Sequence, residues 1–374
     1  MSKLGLIILA GGLSSRMARP KALLPWTNGE SLISHALRNA LEHDIDDILI
    51  SVGTDEVLAQ EIQHNIIDTL SNEESQRVSI VRDSVERSGP LGGLYSSLSV
   101  GRSEAYALLA VDMPFMDISL YYEWLYEVDE PWDAIIPSIV DADTTLNDQR
   151  CLEPMAGIYK TAVKDVLPHA LASEDMSLRG FINMLHKVSV IDANHCKKAL
   201  RNVNYYDEYK WARAEAVNKE RQVPVLSIVA KHRKTGKTTV VTKLVETLSE
   251  KGIAVGVVKS DSHGFQMDHE GTDTDTAYNA GACAVAIAGP TETAVRLRTE
   301  QQMDVYHLTQ QLPVDIVLLE TRSQGVFPSI EVVVDPEQAD LISTEDERIC
   351  TVALATLDET LPHIVGHIEK MVRR

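Results

Sequence analysis

Two short apolar runs, Lys3–Ala10 (KLGLIILA) and Val225–Ala230 (VLSIVA), each enter a loop of Gly, Ser, Thr and basic residues and then a helical pattern. This strand–loop–helix opening, met twice and far apart, constrains the chain most, because it is how an α/β domain begins. Strands are expected near 46–52, 78–82, 105–111, 133–138, 153–159, 253–259 and 314–320. Helices are expected near 31–43, 93–100, 118–128, 161–171, 206–218, 237–251 and 359–372. Apolar β-rich runs alternating with helices imply mostly parallel sheets covered on both faces. The fold class is therefore α/β, as two three-layer domains. The polar stretch 213–223 before Pro224 reads as a linker, dividing the chain into 1–220 and 221–374. The two openings are not a repeat, since their loop chemistry differs.

Hydrophobic residues make up 44% of the 374 and charged residues 24%, enough for real cores and unlike a disordered chain. No apolar run reaches the roughly 18 residues of a membrane-spanning helix. The first run lacks a small-residue cleavage site and reads as a buried strand, not a signal peptide. Four cysteines (Cys151, Cys196, Cys283, Cys350) stand far apart without a CxxC pair, which points to reduced thiols in a cytoplasm. The net charge of −20 argues against nonspecific nucleic-acid binding. It also means that a phosphate ligand must be met by a local cluster of cations.

The first loop supplies such a cluster. Gly11 and Gly12 follow the strand directly, where glycine lets backbone pass close to a ligand, and Arg16, Arg19 and Lys21 follow within a few residues. Three cations beside a glycine turn suggest a triphosphate clamp, although the glycine pair alone fits a plain tight turn. Asp83 precedes a second glycine-rich segment, Ser88-Gly89-Pro-Leu-Gly-Gly93, read as a backbone-exposing loop before a helix. Asp112 lies just past the apolar run 105–111, where a carboxylate at a parallel strand's carboxyl end faces the ligand crevice. Beside a triphosphate it would hold Mg²⁺; an isolated Asp there is as readily a turn residue.

The string LAGGLSSRMARPKALLP, with GPLGGL and VDMP, resembles the molybdenum cofactor guanylyltransferases (MobA) of the nucleotidyltransferase group. The resemblance extends through Glu153-Pro154 and Asn202-Val-Asn204 and covers about residues 3–210. It implies a Rossmann-like domain, GTP as donor, Mg²⁺, and molybdopterin as acceptor. Carried over by position, Leu9, Ala10 and Gly11 would read guanine through backbone groups, while Gly12, Arg16 and Lys21 would hold phosphates. Asp83 and the Gly89 segment would contact the nucleotide, Asp112 would bind the metal, and Asn204 would lie near it. Lys21, Arg16 and Asp112 are the residues implied for catalysis. The chain departs from the family at Ala18, at Gly53 (where many members carry a nucleotide-contacting Asn) and at Tyr205 (usually Thr). The related cytidylyltransferases share much of this loop, so CTP is the alternative donor.

The second opening, Lys231-His-Arg-Lys-Thr-Gly236-Lys237-Thr238-Thr239, has most of a Walker A loop. Lys237 would reach β- and γ-phosphates and Thr238 the Mg²⁺, with Gly236 and Thr239 at the helix start supplying N–H groups. Lys231 stands where the motif has its first glycine, and would either crowd the loop or add a phosphate contact. The surroundings resemble MobB, the GTP-binding partner protein of molybdopterin guanine dinucleotide synthesis. The matches are Val258-Lys259, Asp268–Thr274, Ala280-Gly-Ala282, Glu320 and Pro328-Ser-Ile-Glu331, over about 224–335. Glu320 would bind metal or orient water, although Thr321 replaces the family's glycine; a surface carboxylate is the rival reading. His263 and His269 read as loop residues. The aromatics of 121–128 and Trp132 read as packing residues, and EHDIDD (42–47) as a solvated helix end.

The expected activity is transfer of GMP from GTP to molybdopterin, with the second domain as a GTP-binding accessory. The expected partners are molybdopterin-synthesis proteins and apo-molybdoenzymes, with no nucleic acid and no membrane span. A nucleotide-binding adaptor that delivers cofactor without catalysis is the non-enzymatic alternative.

Overall fold

The computed structural model describes residues 4–11, 20–84, 88–140, 151–219, 221–260, 269–299, 303–321, 328–336 and 340–372. The chain forms two compact units, Met1–Tyr209 and Lys210–Arg374. Among the described residues no helix is long and apolar enough to cross a membrane.

The first unit is built on seven strands: β1 (Leu4–Leu9), β2 (Ile48–Ser51), β3 (Val78–Val81), β4 (Ala105–Ala110), β5 (Ala134–Ser138), β6 (Ile158–Lys160) and β7 (Val188–Asp192). Their order is β3-β2-β1-β4-β6-β5-β7. All pairings are parallel except those of β6, which runs antiparallel to β4 and β5. The helices are α1 (Leu32–Leu41), α2 (Glu56–Asn65), α3 (Asn72–Ser75), α4 (Gly89–Val100), α5 (Ser119–Glu127), α6 (Leu167–Leu171) and α7 (Leu178–Ile182), then α8 (Tyr206–Val217), which runs into the second unit. Every residue of β1 and β4 is buried, as two-sided cover requires. On one face Ile7, Leu9, Leu49, Tyr106 and Leu108 meet Leu91, Leu94 and Leu98 of α4 and Phe181 of α7. Tyr121 and Trp124 of α5 are fully buried, as packing residues should be, whereas Tyr126 is exposed. Asp47 departs from its solvated reading. It is 3% exposed and accepts hydrogen bonds from Tyr106 Oη and from the backbone and guanidinium of Arg102.

The second unit carries β8 (Val225–Val229), β9 (Val255–Lys259), β10 (Ala284–Ala288), β11 (Thr293–Leu297), β12 (Ile316–Thr321), β13 (Ser329–Val333) and β14 (Arg348–Ala353). Its helices are α9 (Lys237–Glu250), α10 (Asp273–Asn279), α11 (Val305–Thr309) and α12 (Leu357–Val372). Five strands form an all-parallel sheet in the order β14-β13-β8-β12-β9, and β10 and β11 form a separate antiparallel pair. Alternate residues serve two faces: Leu226, Ile228, Ile316 and Leu318 pack against α9 and α12, while Val225, Val317 and Leu319 pack on the other side.

The stretch read as a linker is instead part of this unit. Residues 210–217 are helical, and Trp211 and Ala214 join the second core. The Asn218 amide, 1% exposed, exchanges two hydrogen bonds with the backbone of Val225, at 2.8 and 3.1 Å. Arg221 donates to Tyr306 O and Thr309 Oγ1. Polarity misleads here because Asn218 and Arg221 bond backbone and side-chain groups of this unit.

Candidate functional site

In the first unit the strand order turns back between β1 and β4: β2 and β3 lie to one side of β1, and β4 to the other. A crevice at the carboxyl ends opens at such a switch point, and Gly11 and Asp112 flank it. The N–H groups of Ala10 and Gly11 both donate to Ser51 O, at 2.8 and 2.9 Å, and Leu9 O accepts from Val111 N. The expected base-reading residues thus stand at the right strand end, but these N–H groups already tie β1 to β2. A ligand there meets carbonyl oxygens or displaces the fork. Gly11 is required by close approach, since a Cβ would lie 2.6 Å from the backbone of Val52 and Gly53. Gly53 has φ +66°. Glycine and asparagine are the residues that most readily adopt this conformation, so Gly53 keeps the turn while lacking the side chain of the family's Asn.

Three remote segments converge just past the carboxyl end of β4. Lys21, in a single 3-10 turn after Pro20, places Nζ 2.8 Å from Asp112 Oδ2 and 3.3 Å from Asn204 Oδ1. Asp112 is only 15% exposed, and its Oδ1 is buried without a hydrogen-bond partner among the described residues. Its backbone carbonyl accepts from Val203 N at 2.8 Å, which holds the Asn204 segment in place. Glu208 then accepts from Asn204 N and Tyr205 N, at 2.9 and 3.1 Å. Tyr205 precedes α8, where a Ser or Thr would cap the helix; Glu208, three residues on, retains the reciprocal half of a capping box. Sequence reasoning passed over Glu208, although that spacing was its signal.

Asp83 accepts from Ser51 Oγ at 3.3 Å, and burial pushes its carboxyl above the usual range against that bond. The segment read as a backbone-exposing loop is different in kind: α4 begins at Gly89 itself, with φ +56°. Gly93 lets α4 press on the sheet, since a Cβ would lie 2.6 Å from Ser51 Oγ and 2.8 Å from Leu9 Cδ2. Gly12, Arg16, Arg19 and His263 lie outside the described residues.

In the second unit β8 runs through residues 230–236 into α9. Lys234 (φ 61°) and Gly236 (φ 96°) are left-handed, whereas Lys231 is not, so the missing first glycine imposes no backbone strain. The Lys231 ammonium is 2.5 Å from Asp340 Oδ1, with His232 3.9 Å from Asp340 Oδ2. Lys237 Nζ donates to Thr321 O at 2.9 Å, bringing the loop's lysine to the end of β12 beside Glu320. Thr238 and Thr239 follow in the first turn of α9, whose N-terminus favours an anion. Among the described residues no hydrogen bond or ion pair joins Thr238 to Glu320. Glu331, fully buried, accepts from Ile342 N, Ser343 N and Ser343 Oγ, anchoring the segment that carries Asp340. His269 lies in the loop before Thr272, which caps α10.

Residues 6–188 match the family model described as MobA-like NTP transferase domain, and residues 225–356 match that of molybdopterin guanine dinucleotide synthesis protein B (MobB). Two proteins named probable molybdenum cofactor guanylyltransferase are each 26% identical to the chain. That of Bacillus cereus (strain B4264) matches over 58% of the chain and that of Bacillus anthracis (strain CDC 684 / NRRL 3495) over 59%, each along its whole length. Among solved structures, molybdopterin-guanine dinucleotide biosynthesis protein A from Archaeoglobus fulgidus is 20% identical, with 56% of this chain and 96% of that chain covered and a TM-score of 0.43. A MobB homologue from Bacillus stearothermophilus is 23% identical, with 39% and 98% covered and a TM-score of 0.29. The chain is a MobA-like NTP transferase domain followed by a MobB domain.

Proposed function

We propose that the first domain transfers GMP from GTP to the terminal phosphate of molybdenum-molybdopterin, releasing pyrophosphate, and that the second binds GTP as an accessory. The observation that carries this reading is the convergence of Lys21, Asp112 and Asn204 at the switch point, with one Asp112 oxygen buried and unpartnered among the described residues. An acceptor phosphate oxygen attacks the α-phosphorus, the bond to the bridging oxygen breaks, and pyrophosphate carries away the electron pair. No side-chain nucleophile is needed, because a phosphate monoester is already largely ionised near neutral pH. Lys21 and Arg16 hold the leaving phosphates, where negative charge builds. The oxygen donors Asp112 and Asn204 fit Mg²⁺, which favours one or two protein oxygens plus substrate phosphates. Bound there, the ion would neutralise charge on the phosphate oxygens. In the second domain Gly236, Lys237, Thr238 and Thr239 are the phosphate-binding residues, with Thr238 and Glu320 on the metal side. Molybdopterin-synthesis proteins and apo-molybdoenzymes are the protein partners this role implies, in the cytoplasm.

Incubation with molybdopterin cofactor and labelled GTP or CTP tests the assignment. GMP incorporation is expected, and incorporation from CTP alone would overturn the donor. Cofactor maturation that persists in Asp112→Ala would favour a non-catalytic adaptor instead.

A further inference from the structure

Glu331 is a carboxylate in the middle of β13, fully buried, and the phosphate chemistry does not use it. Burying an ionisable group there is costly unless its oxygens are satisfied. Glu331 accepts from Ile342 N at 2.7 Å, from Ser343 N at 3.0 Å and from Ser343 Oγ. Arg348 of β14 holds the same segment, donating to Ser343 O at 2.8 Å and standing 3.9 Å from Glu331 Oε2. The chain that returns after β13 is therefore fixed to the sheet at residues 342–343.

The register says where that fixed point lies. Glu331 pairs with Val229 of β8, and Val229 stands two residues before Lys231. Asp340 in turn stands two residues before Ile342. The clamp thus carries Asp340 to the carboxyl end of β8, where the phosphate loop begins. Its two oxygens face the loop's first two side chains: Oδ1 lies 2.5 Å from Lys231 Nζ and Oδ2 lies 3.9 Å from His232 Nε2. The bond from Lys231 holds the Asp340 carboxyl below its usual range, so it is ionised at neutral pH. An anion of the chain itself sits on the loop's first cation. Lys231 and Asp340 are 41% and 62% exposed, so water screens the pair and its strength is small. A contact that weak yields to a ligand bearing several negative charges.

We propose that Asp340 is an autoinhibitory strap on the second domain's phosphate loop: its carboxylate competes with phosphate for Lys231 and His232, so a triphosphate binds only by displacing it. The buried Glu331 clamp keeps the strap poised, because residues 342–343 stay fixed while Asp340 swings away and back. The strap acts on charge alone and is indifferent to the base. This rests on the reading of the second domain as a nucleotide-binding one.

The test is calorimetric titration of the full chain with GTP and with inorganic triphosphate at low ionic strength, where exposed charges act most strongly. The second domain's share of binding is the component lost in Lys237→Ala. Asp340→Asn should tighten that component about threefold for both ligands, the size of effect an exposed pair supports. In a Lys231→Ala background, where the strap has lost its closer partner, the same substitution should gain less than about 1.5-fold. An equal gain in both backgrounds would mean plain charge repulsion and overturn the strap. Unchanged or weaker binding in Asp340→Asn would overturn it too, while leaving the nucleotide reading of the domain intact. Absence of any Lys237-dependent binding would overturn that reading and the strap with it.

Discussion

Removing the Asp47 carboxylate should destabilise the first unit by about 4 kcal/mol, and the structure says where that figure comes from. The carboxylate is 5% exposed and accepts from Tyr106 Oη, from Arg102 N at 2.7 Å and from the Arg102 guanidinium at 2.8 and 3.1 Å. Arg102 is 63% exposed, so its ion pair is screened and contributes little, on the order of 0.5 kcal/mol. The larger loss comes from donors left behind. The Tyr106 hydroxyl is fully buried, and orphaning it and the Arg102 N–H costs about 1–3 kcal/mol each. Asp47→Ala therefore loses about 4 kcal/mol, which at a slope of about 2 kcal/mol/M lowers a urea midpoint by about 2 M. Adding Tyr106→Phe removes the orphaned hydroxyl, so the double mutant should be less damaged than the two single losses summed, by about 1–2 kcal/mol.

The pH dependence has a definite sign. Burial alone would raise the Asp47 carboxyl, but the bonds from Tyr106 and Arg102 outweigh it and hold it below the usual range. Its contribution is thus complete above the unfolded carboxylate pKa of about 3.9 and disappears as pH falls through the lower folded value. The gap between wild type and Asp47→Ala should close with acidification. Tryptophan fluorescence in a Trp211→Phe background reads the first unit alone, since Trp26, Trp124 and Trp132 all lie within it. Equal urea midpoints for wild type and Asp47→Ala at neutral pH would refute the reasoning.

Other outcomes follow from the same geometry. Gly101→Ala should cost at least about 2 kcal/mol in urea unfolding, because its Cβ would lie 2.3 Å from the buried Tyr106 oxygen. Lys21→Ala should cut GMP transfer by about 10²–10³-fold with the fold intact by circular dichroism; an unchanged rate would remove Lys21 from the chemistry. Lys231→Ala should change stability by less than about 1 kcal/mol, because its pair with Asp340 is exposed. It should also leave GTP binding to the second domain in place by calorimetry. Gly236→Ala should abolish that binding, because it forces a Cβ into Leu354 at φ 96°.

The strand–loop–helix openings and the central strands were legible because runs such as LGLIIL and AYALLA have one reading in a sheet covered on both sides. Lys21 and Asp112 were singled out by the cations beside a glycine turn and by the end of an apolar strand, Asn204 only through motif resemblance; nothing local in Asn202-Val-Asn204 predicts a bond back to Lys21. The reading failed where a charged or amide group is buried against a distant partner. Asp47 looked solvated because Tyr106 lies far along the chain, and β13 was missed because Glu331 interrupts its apolar run. Asn218 hid the docking of a presumed linker for the same reason. Polarity in sequence reports exposure only when no remote donor or acceptor satisfies the group.

The parallel order of the second sheet also sets a timetable for synthesis. Val225 of β8 pairs with Val317 of β12, and Ser227 with Ser329 of β13, so the two neighbours of the strand behind the phosphate loop emerge about ninety and about a hundred residues later. Until they leave the ribosome, β8 has open edges and the loop has no floor. Such non-local pairing is intrinsically slow and leaves edges prone to aggregation. The first unit has its whole sheet in hand by Asp192. During translation the chain therefore passes through an interval with a finished transferase domain and an unclosed second one. In that interval β8 is the strand most in need of a chaperone.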